Sequence, residues 1–123
     1  MLALQSRYRF YLYAHPTDMR KSFDGLCGIV EGRLKGNPLS GDVYIFLNRR
    51  RDRMKLLVWE NSGFWIFYKR LERGTFQLPA ACSRQDCHEL AHEELLLMIA
   101  GIELTHIRRR TRYLVKKKLV QKG

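Results

Sequence analysis

The chain reads as an α+β domain, an antiparallel β-meander of about four strands with two helices packed on one face and a basic C-terminal tail. Three observations predict it. Aromatic and β-branched runs at 43–47, 54–59 and 64–68 are separated by short polar connectors, as in a meander. Apolar residues recur at helical spacing before these runs, and a second helical segment follows them. The chain then closes on a stretch, 105–123, that is rich in Lys and Arg and holds no acid. The expected organisation is a single α+β domain over 1–104 and a basic C-terminal arm over 105–123.

The first element is an aromatic strand, Tyr8 with Phe10-Tyr11-Leu12-Tyr13. His15-Pro16-Thr17-Asp18 ends it and offers a cap for a helix. Met19, Phe23, Leu26, Val30 and Leu34 then form one buried helical stripe, which Gly36-Asn37-Pro38 stops. Gly25, Gly28 and Gly32 share the opposite face of this helix. Each costs roughly 1 kcal/mol relative to Ala in a helix interior. Close approach of another backbone, from a partner or from nucleic acid, would account for them; so would a helix too short to include all three.

Val43-Tyr44-Ile45-Phe46-Leu47 opens the meander. The connector 48–52 and the turn Asn61-Ser62-Gly63 join the following strands, with Gly63 as the residue for a positive φ. Pairing Glu60 with Phe64 sets Trp59 on Trp65, Leu57 on Phe67 and Lys55 on Lys69. The last pair opposes like charges. A bound phosphate would relieve it, and so would a register one residue off. In either register Arg49, Arg50, Arg51 and Arg53 gather near Lys69, Arg70 and Arg73 at one end, where with Lys55 they are expected to contact phosphates, and Asp42 and Glu60 mark the other. After Pro79, Ser83-Arg84-Gln85-Asp86 resembles a capping box, and a helix runs on through Ala100 with Gly101 at its C′ position.

The 123 residues are 46% hydrophobic, enough for one real core, and carry a formal charge of +11. A pI near 10.0 implies attraction to nucleic acid or another acidic surface. Arg108, Arg109, Arg110, Arg112, Lys116, Lys117 and Lys118 extend the basic end as an arm suited to a polyanion. No apolar run is long enough to span a membrane, and Arg7 and Arg9 interrupt the N-terminal aromatics, so neither a membrane span nor a signal peptide is expected. The expected location is cytoplasmic. Cys27, Cys82 and Cys87, an odd set at unpatterned spacings, read as reduced thiols.

His88-Glu89-Leu90-Ala91-His92 matches His-Glu-x-x-His, which on a helix chelates zinc. The extended pattern fails, since Leu95 and Met98 stand where it needs Gly and His. Cys82, Cys87, His88 and His92 lack the knuckle of a structural zinc set. No nucleophile elbow or phosphate loop is present. The expectation is a protein that is not an enzyme, with no catalytic residue, metal or cofactor.

Thr17-Asp18-Met19-Arg20-Lys21-Ser22-Phe23-Asp24-Gly25-Leu26, Leu39-Ser40-Gly41-Asp42, and the segment from Asn48-Arg49-Arg50 through Lys69-Arg70-Leu71-Glu72-Arg73-Gly74 and Phe76 resemble the TnpB-type accessory proteins of the insertion sequence 66 transposon family. Gly101-Ile102-Glu103-Leu104, followed by arginines, is similar to that family's C-terminal pattern. The resemblance implies a bacterial protein encoded beside a separate transposase and needed for efficient transposition. Taken with that resemblance, the residues leave two roles open: a DNA-binding cofactor with weak sequence preference, or an adaptor that docks the transposase through Gly25, Gly28 and Gly32 or through a sheet edge. The first would make the protein nucleoid-associated.

Overall fold

The computed structural model describes residues 7–79 and 86–101. Its elements are β1 (Phe10–Tyr13), α1 (Phe23–Gly32), β2 (Val43–Leu47), β3 (Arg53–Glu60), β4 (Gly63–Arg70), β5 (Cys87–Leu90) and α2 (His92–Ile99). The strands form one sheet in the order β4-β3-β2-β1-β5. The α+β class stands, but the sheet is mixed and five-stranded rather than a purely antiparallel meander of four. β1 and β2 run parallel, with Phe10 against Val43 and Tyr13 against Phe46. A parallel pair needs a long crossover, and α1 supplies it.

The two helices cover opposite faces of the sheet, a correction to their expected placement on one face. Leu26 and Val30 of α1 pack with Tyr13, Tyr44, Phe46 and Leu57. Leu95 and Met98 of α2 pack with Phe10, Val43, Ile45, Met54, Leu56 and Val58 on the other side. Alternate residues of each strand thus enter alternate cores. Every residue of β2 is buried, because this central strand has a helix layer on both faces. Its unbroken apolar run was the sequence signal for that burial.

The β3–β4 hairpin takes the register one residue off from the pairing first drawn. Glu60 pairs with Gly63, Val58 with Trp65 and Lys55 with Tyr68. The loop is only Asn61 and Ser62, at φ of 51° and 68°, so the positive φ falls on these two residues and not on Gly63. Two successive left-handed residues make a primed hairpin turn, whose twist suits the strands. α1 is also shorter than its stripe, leaving Met19 and Leu34 outside it. Asp18 does not cap it; its N-cap is Ser22.

The largest difference lies at 87–90. These residues form β5, the edge strand antiparallel to β1, instead of a helical turn. Leu90 enters the core opposite Phe10, while exposed Glu89 receives a bidentate pair from Arg9 at 3.0 Å. α2 therefore starts at His92, with the Ala91 N–H donating to Glu94 Oε1. Gly101 follows the helix at φ 71°, the left-handed C′ position read from the sequence. Residues 83–85 and the arm 105–123 lie outside the described residues.

Candidate nucleic-acid interface

Connectivity brings the predicted basic pole together. β2 ends and β3 begins at the 48–52 loop, and β4 ends beside it, with Arg53 directly opposite Arg70. Asn48 builds the loop. Its Oδ1 accepts the N–H groups of Asp52 and Arg53 at 3.0 Å, and its Nδ2 donates to Asp52 Oδ1 at 2.6 Å. The Arg51 N–H closes a turn onto the Asn48 carbonyl. Arg51 itself stands at φ 58°, a conformation that favours Gly or Asn. The segment after β4 folds back over the loop, through Leu71 N–H to the Asp52 carbonyl and Phe76 N–H to the Arg51 carbonyl. Phe76, fully buried, pins that segment.

Arg49, Arg50 and Arg51 are exposed, and among the described residues none of them forms an ion pair. Arg53 Nη1 reaches the Tyr68 hydroxyl at 3.4 Å. Arg70 is exposed but pairs with Glu72 at 2.9 Å. Lys69 donates to the Ile99 carbonyl at the end of α2, at 2.6 Å. The like-charge opposition expected at Lys55 and Lys69 is therefore found at Arg53 and Arg70, one step nearer the tip. At the far end of the sheet Glu60 accepts the Tyr8 hydroxyl, and exposed Arg33 and Lys35 lie toward that end as well.

Lys55 departs from its expected role. It is only 8% exposed, on the α1 side of β3. Its Nζ donates to the carbonyls of Met19 and Lys21 at 2.7 and 2.8 Å and lies 4.8 Å from the centre of the Tyr68 ring. Both the hydrogen bonds and the burial commit it to holding the 17–21 segment, which removes it from the surface set. Arg108, Arg109, Arg110, Arg112, Lys116, Lys117 and Lys118 fall outside the described residues.

Sequence reasoning did not find the pocket beside this pole. Residues 16–19 and 48–53 line an open surface depression of about 500 Å³. Thr17 N–H donates to the Leu47 carbonyl and fixes the pocket wall to the end of β2. Asp18 accepts the Arg20 guanidinium at 2.7 Å and the Arg20 N–H at 2.9 Å. The side-chain bonds, then the backbone bond, hold its carboxyl down to about 2. The Asp-x-Arg spacing was the available signal for this pair.

The remaining chemistry-bearing groups are dispersed. His88 lies in β5 and His92 opens α2, where it stacks on Phe10, so the pair lacks the one-turn geometry of a helical zinc chelate. Among the described residues no group of three or more His, Cys, Asp or Glu is arranged to hold a metal. Cys27 and Cys87 are free thiols, and burial pushes both above the ordinary range, away from a nucleophilic thiolate. No helix among the described residues is long and apolar enough to cross a membrane.

Comparison with known proteins gives the chain its kin. It is 30% identical over 102 residues to the uncharacterized protein y4jC of Sinorhizobium fredii, covering 83% of this chain and 86% of that one. It is 31% identical over 106 residues to the uncharacterized protein y4hO of the same organism, covering 86% and 90%. No solved structure matches it. The family model for IS66 Orf2-like proteins matches residues 8–109. The chain belongs to that family and is thereby associated with the transposition of insertion sequence 66 elements.

Proposed function

We propose that the protein is a non-catalytic accessory factor of transposition that binds DNA through its basic pole and assists a separate transposase. The carrying observation is the convergence of exposed Arg49, Arg50 and Arg51, which form no ion pair among the described residues, with Arg53 and Arg70 at one end of the sheet. The left-handed Arg51 strengthens it. A glycine would sit there with less strain, and an arginine held in such a conformation is most simply kept for its guanidinium. Lys69 and the arm residues 108–118 supply further cations on this reading. Contacts of this kind grip phosphates and carry little sequence information.

A salt-titrated binding assay with transposon-end and scrambled duplexes tests the reading. About six phosphate contacts lose on the order of 10³ in affinity between 50 and 200 mM salt. The two duplexes are expected to bind within a few-fold of each other. Binding that does not respond to salt overturns the proposal.

One observation favours the adaptor role beside it. A Cβ at Gly28 or Gly32 meets nothing within 4 Å among the described residues, so packing among those residues explains neither position. Gly25 differs, because a Cβ there meets the Lys21 side chain at 3.1 Å. Gly28→Ala with Gly32→Ala is expected to stabilise α1, by roughly 1 kcal/mol at the interior Gly28 and by less at Gly32, the helix's last residue. If this face docks the transposase, the same variant loses co-purification with it while retaining DNA binding. Retained co-purification moves the docking site elsewhere.

A further inference from the structure

We infer that the pocket between the 16–19 segment and the 48–53 loop binds a single phosphate group of a nucleic-acid strand. The inference rests on the DNA-binding reading and gives it a defined anchoring point. Arg49, Arg50 and Arg53 line the pocket from the loop side, and guanidinium donors suit the oxygens of a phosphate. Its two carboxylates are already engaged, Asp18 by Arg20 and Asp52 by Asn48. Behind Met19 lies the Lys55 ammonium, which has no carboxylate in ion-pair range among the described residues. Two carbonyls and the Tyr68 ring face it, so a net positive charge remains near the pocket wall.

The second, independent observation is Thr17. This wall residue is 5% exposed, and its Oγ1 is buried with no hydrogen-bond partner among the described residues. Buried hydroxyls are nearly always bonded, and an unmet one costs about 1–3 kcal/mol. Its backbone is fixed by the bond to Leu47, so rotation about χ1 is the motion available to it. In the rotamer present Oγ1 is shut away from solvent, and the proposed contact requires that this rotation turn it into the pocket, onto a phosphate oxygen. The arginines then supply charge and Thr17 supplies a neutral donor at a fixed place, which sets where along the strand the protein sits.

The test uses the full chain. Inorganic phosphate is titrated while the amide resonances of Thr17, Asn48 and Arg49 are followed, and binding is measured to a short duplex with and without a 5′-phosphate. The wild type is expected to show saturable shifts at these amides. Thr17→Val is expected to lose saturation and to bind the duplex about tenfold more weakly, the size of one hydrogen bond to a charged group. Its salt slope stays that of the wild type, because no charge is removed. Preference for the 5′-phosphorylated duplex assigns the pocket to a strand end, and equal binding assigns it to an internal phosphodiester.

Unsaturable shifts in the wild type, or a folded Thr17→Val that binds phosphate and duplex normally, overturn the pocket while leaving salt-dependent duplex binding intact. Saturable phosphate binding lost in Thr17→Val, in a protein that does not bind duplex, keeps a phosphate site there but overturns both the DNA reading and the nucleic-acid occupant inferred for the pocket. Should Thr17→Val not fold, Arg50→Gln, an exposed change, carries the same phosphate titration, and normal saturation there overturns the pocket.

Discussion

Replacing Arg49, Arg50 and Arg51 together by Gln is expected to weaken duplex binding on the order of 10²-fold at 100 mM salt, and to lower the salt slope by about 2.7. The fold should survive. All three side chains are exposed and outside the ion pairs of the described residues, and the loop is held by Asn48 and by the backbone of Arg51. The matching control is Arg33→Gln with Lys35→Gln. These exposed cations follow α1 and lie toward the start of β2, at the end of the sheet away from the loop. On the polar reading this control changes affinity only slightly, through the general field. Equal loss from both sets, scaled to charge removed, would mean that net charge and not the pole does the binding. Measured salt slopes of the variants and the wild type decide it.

The parts of this molecule that could be read from the sequence are those set by local pattern. The runs at β2, β3 and β4 were legible as strands because β-branched and aromatic residues end at polar turns. The gathering of Arg49 to Arg53 beside Arg70 was legible for a different reason. It follows from strand connectivity and survives a one-residue slip in register, which is what the Asn61-Ser62 turn imposed. The parallel β1–β2 pairing was not legible as read, although a connector containing a helix between two strands allows a parallel crossover. With β1 set parallel to β2, α1 covers one face, and α2 is left the other.

The strand at 87–90 was hidden by composition. Cys-His-Glu-Leu has weak strand propensity, and a plausible cap before it with a helical His-Glu-x-x-His reading pointed the other way. What decides the segment is tertiary. β1 offers an open edge, Leu90 fills the core beside Phe10, and Arg9 holds Glu89. The pocket was illegible for a similar reason. Thr17 and Arg53 are far apart in sequence and come to line one pocket because the Thr17 N–H is bound to the end of β2 and Lys55 holds the carbonyls that follow.

Lys55→Met is expected to lower stability by about 3 kcal/mol, since it removes two hydrogen bonds from a charged donor and leaves two carbonyls without that partner. For a domain of this size that is roughly a 10 °C fall in Tm. The Met19 and Lys21 carbonyls that Lys55 holds lie 36 and 34 residues away in sequence, so the bond ties the 17–21 segment to the sheet. Methionine keeps most of the stem length, so the loss reports the ammonium group more than the packing. Amide hydrogen exchange should accelerate across 17–23, where the tether is cut, and change little in β2. The same variant separates the two roles that Lys55 has been given. A phosphate contact at the surface, once removed, lowers the salt slope by about 0.9 and leaves Tm alone. A tether lowers Tm and, in the protein that remains folded, leaves the slope nearly as it was. The carbonyl distances and the 8% exposure favour the tether. An unchanged Tm with a reduced slope would return Lys55 to the DNA surface and would require the 17–21 segment to be held by other bonds.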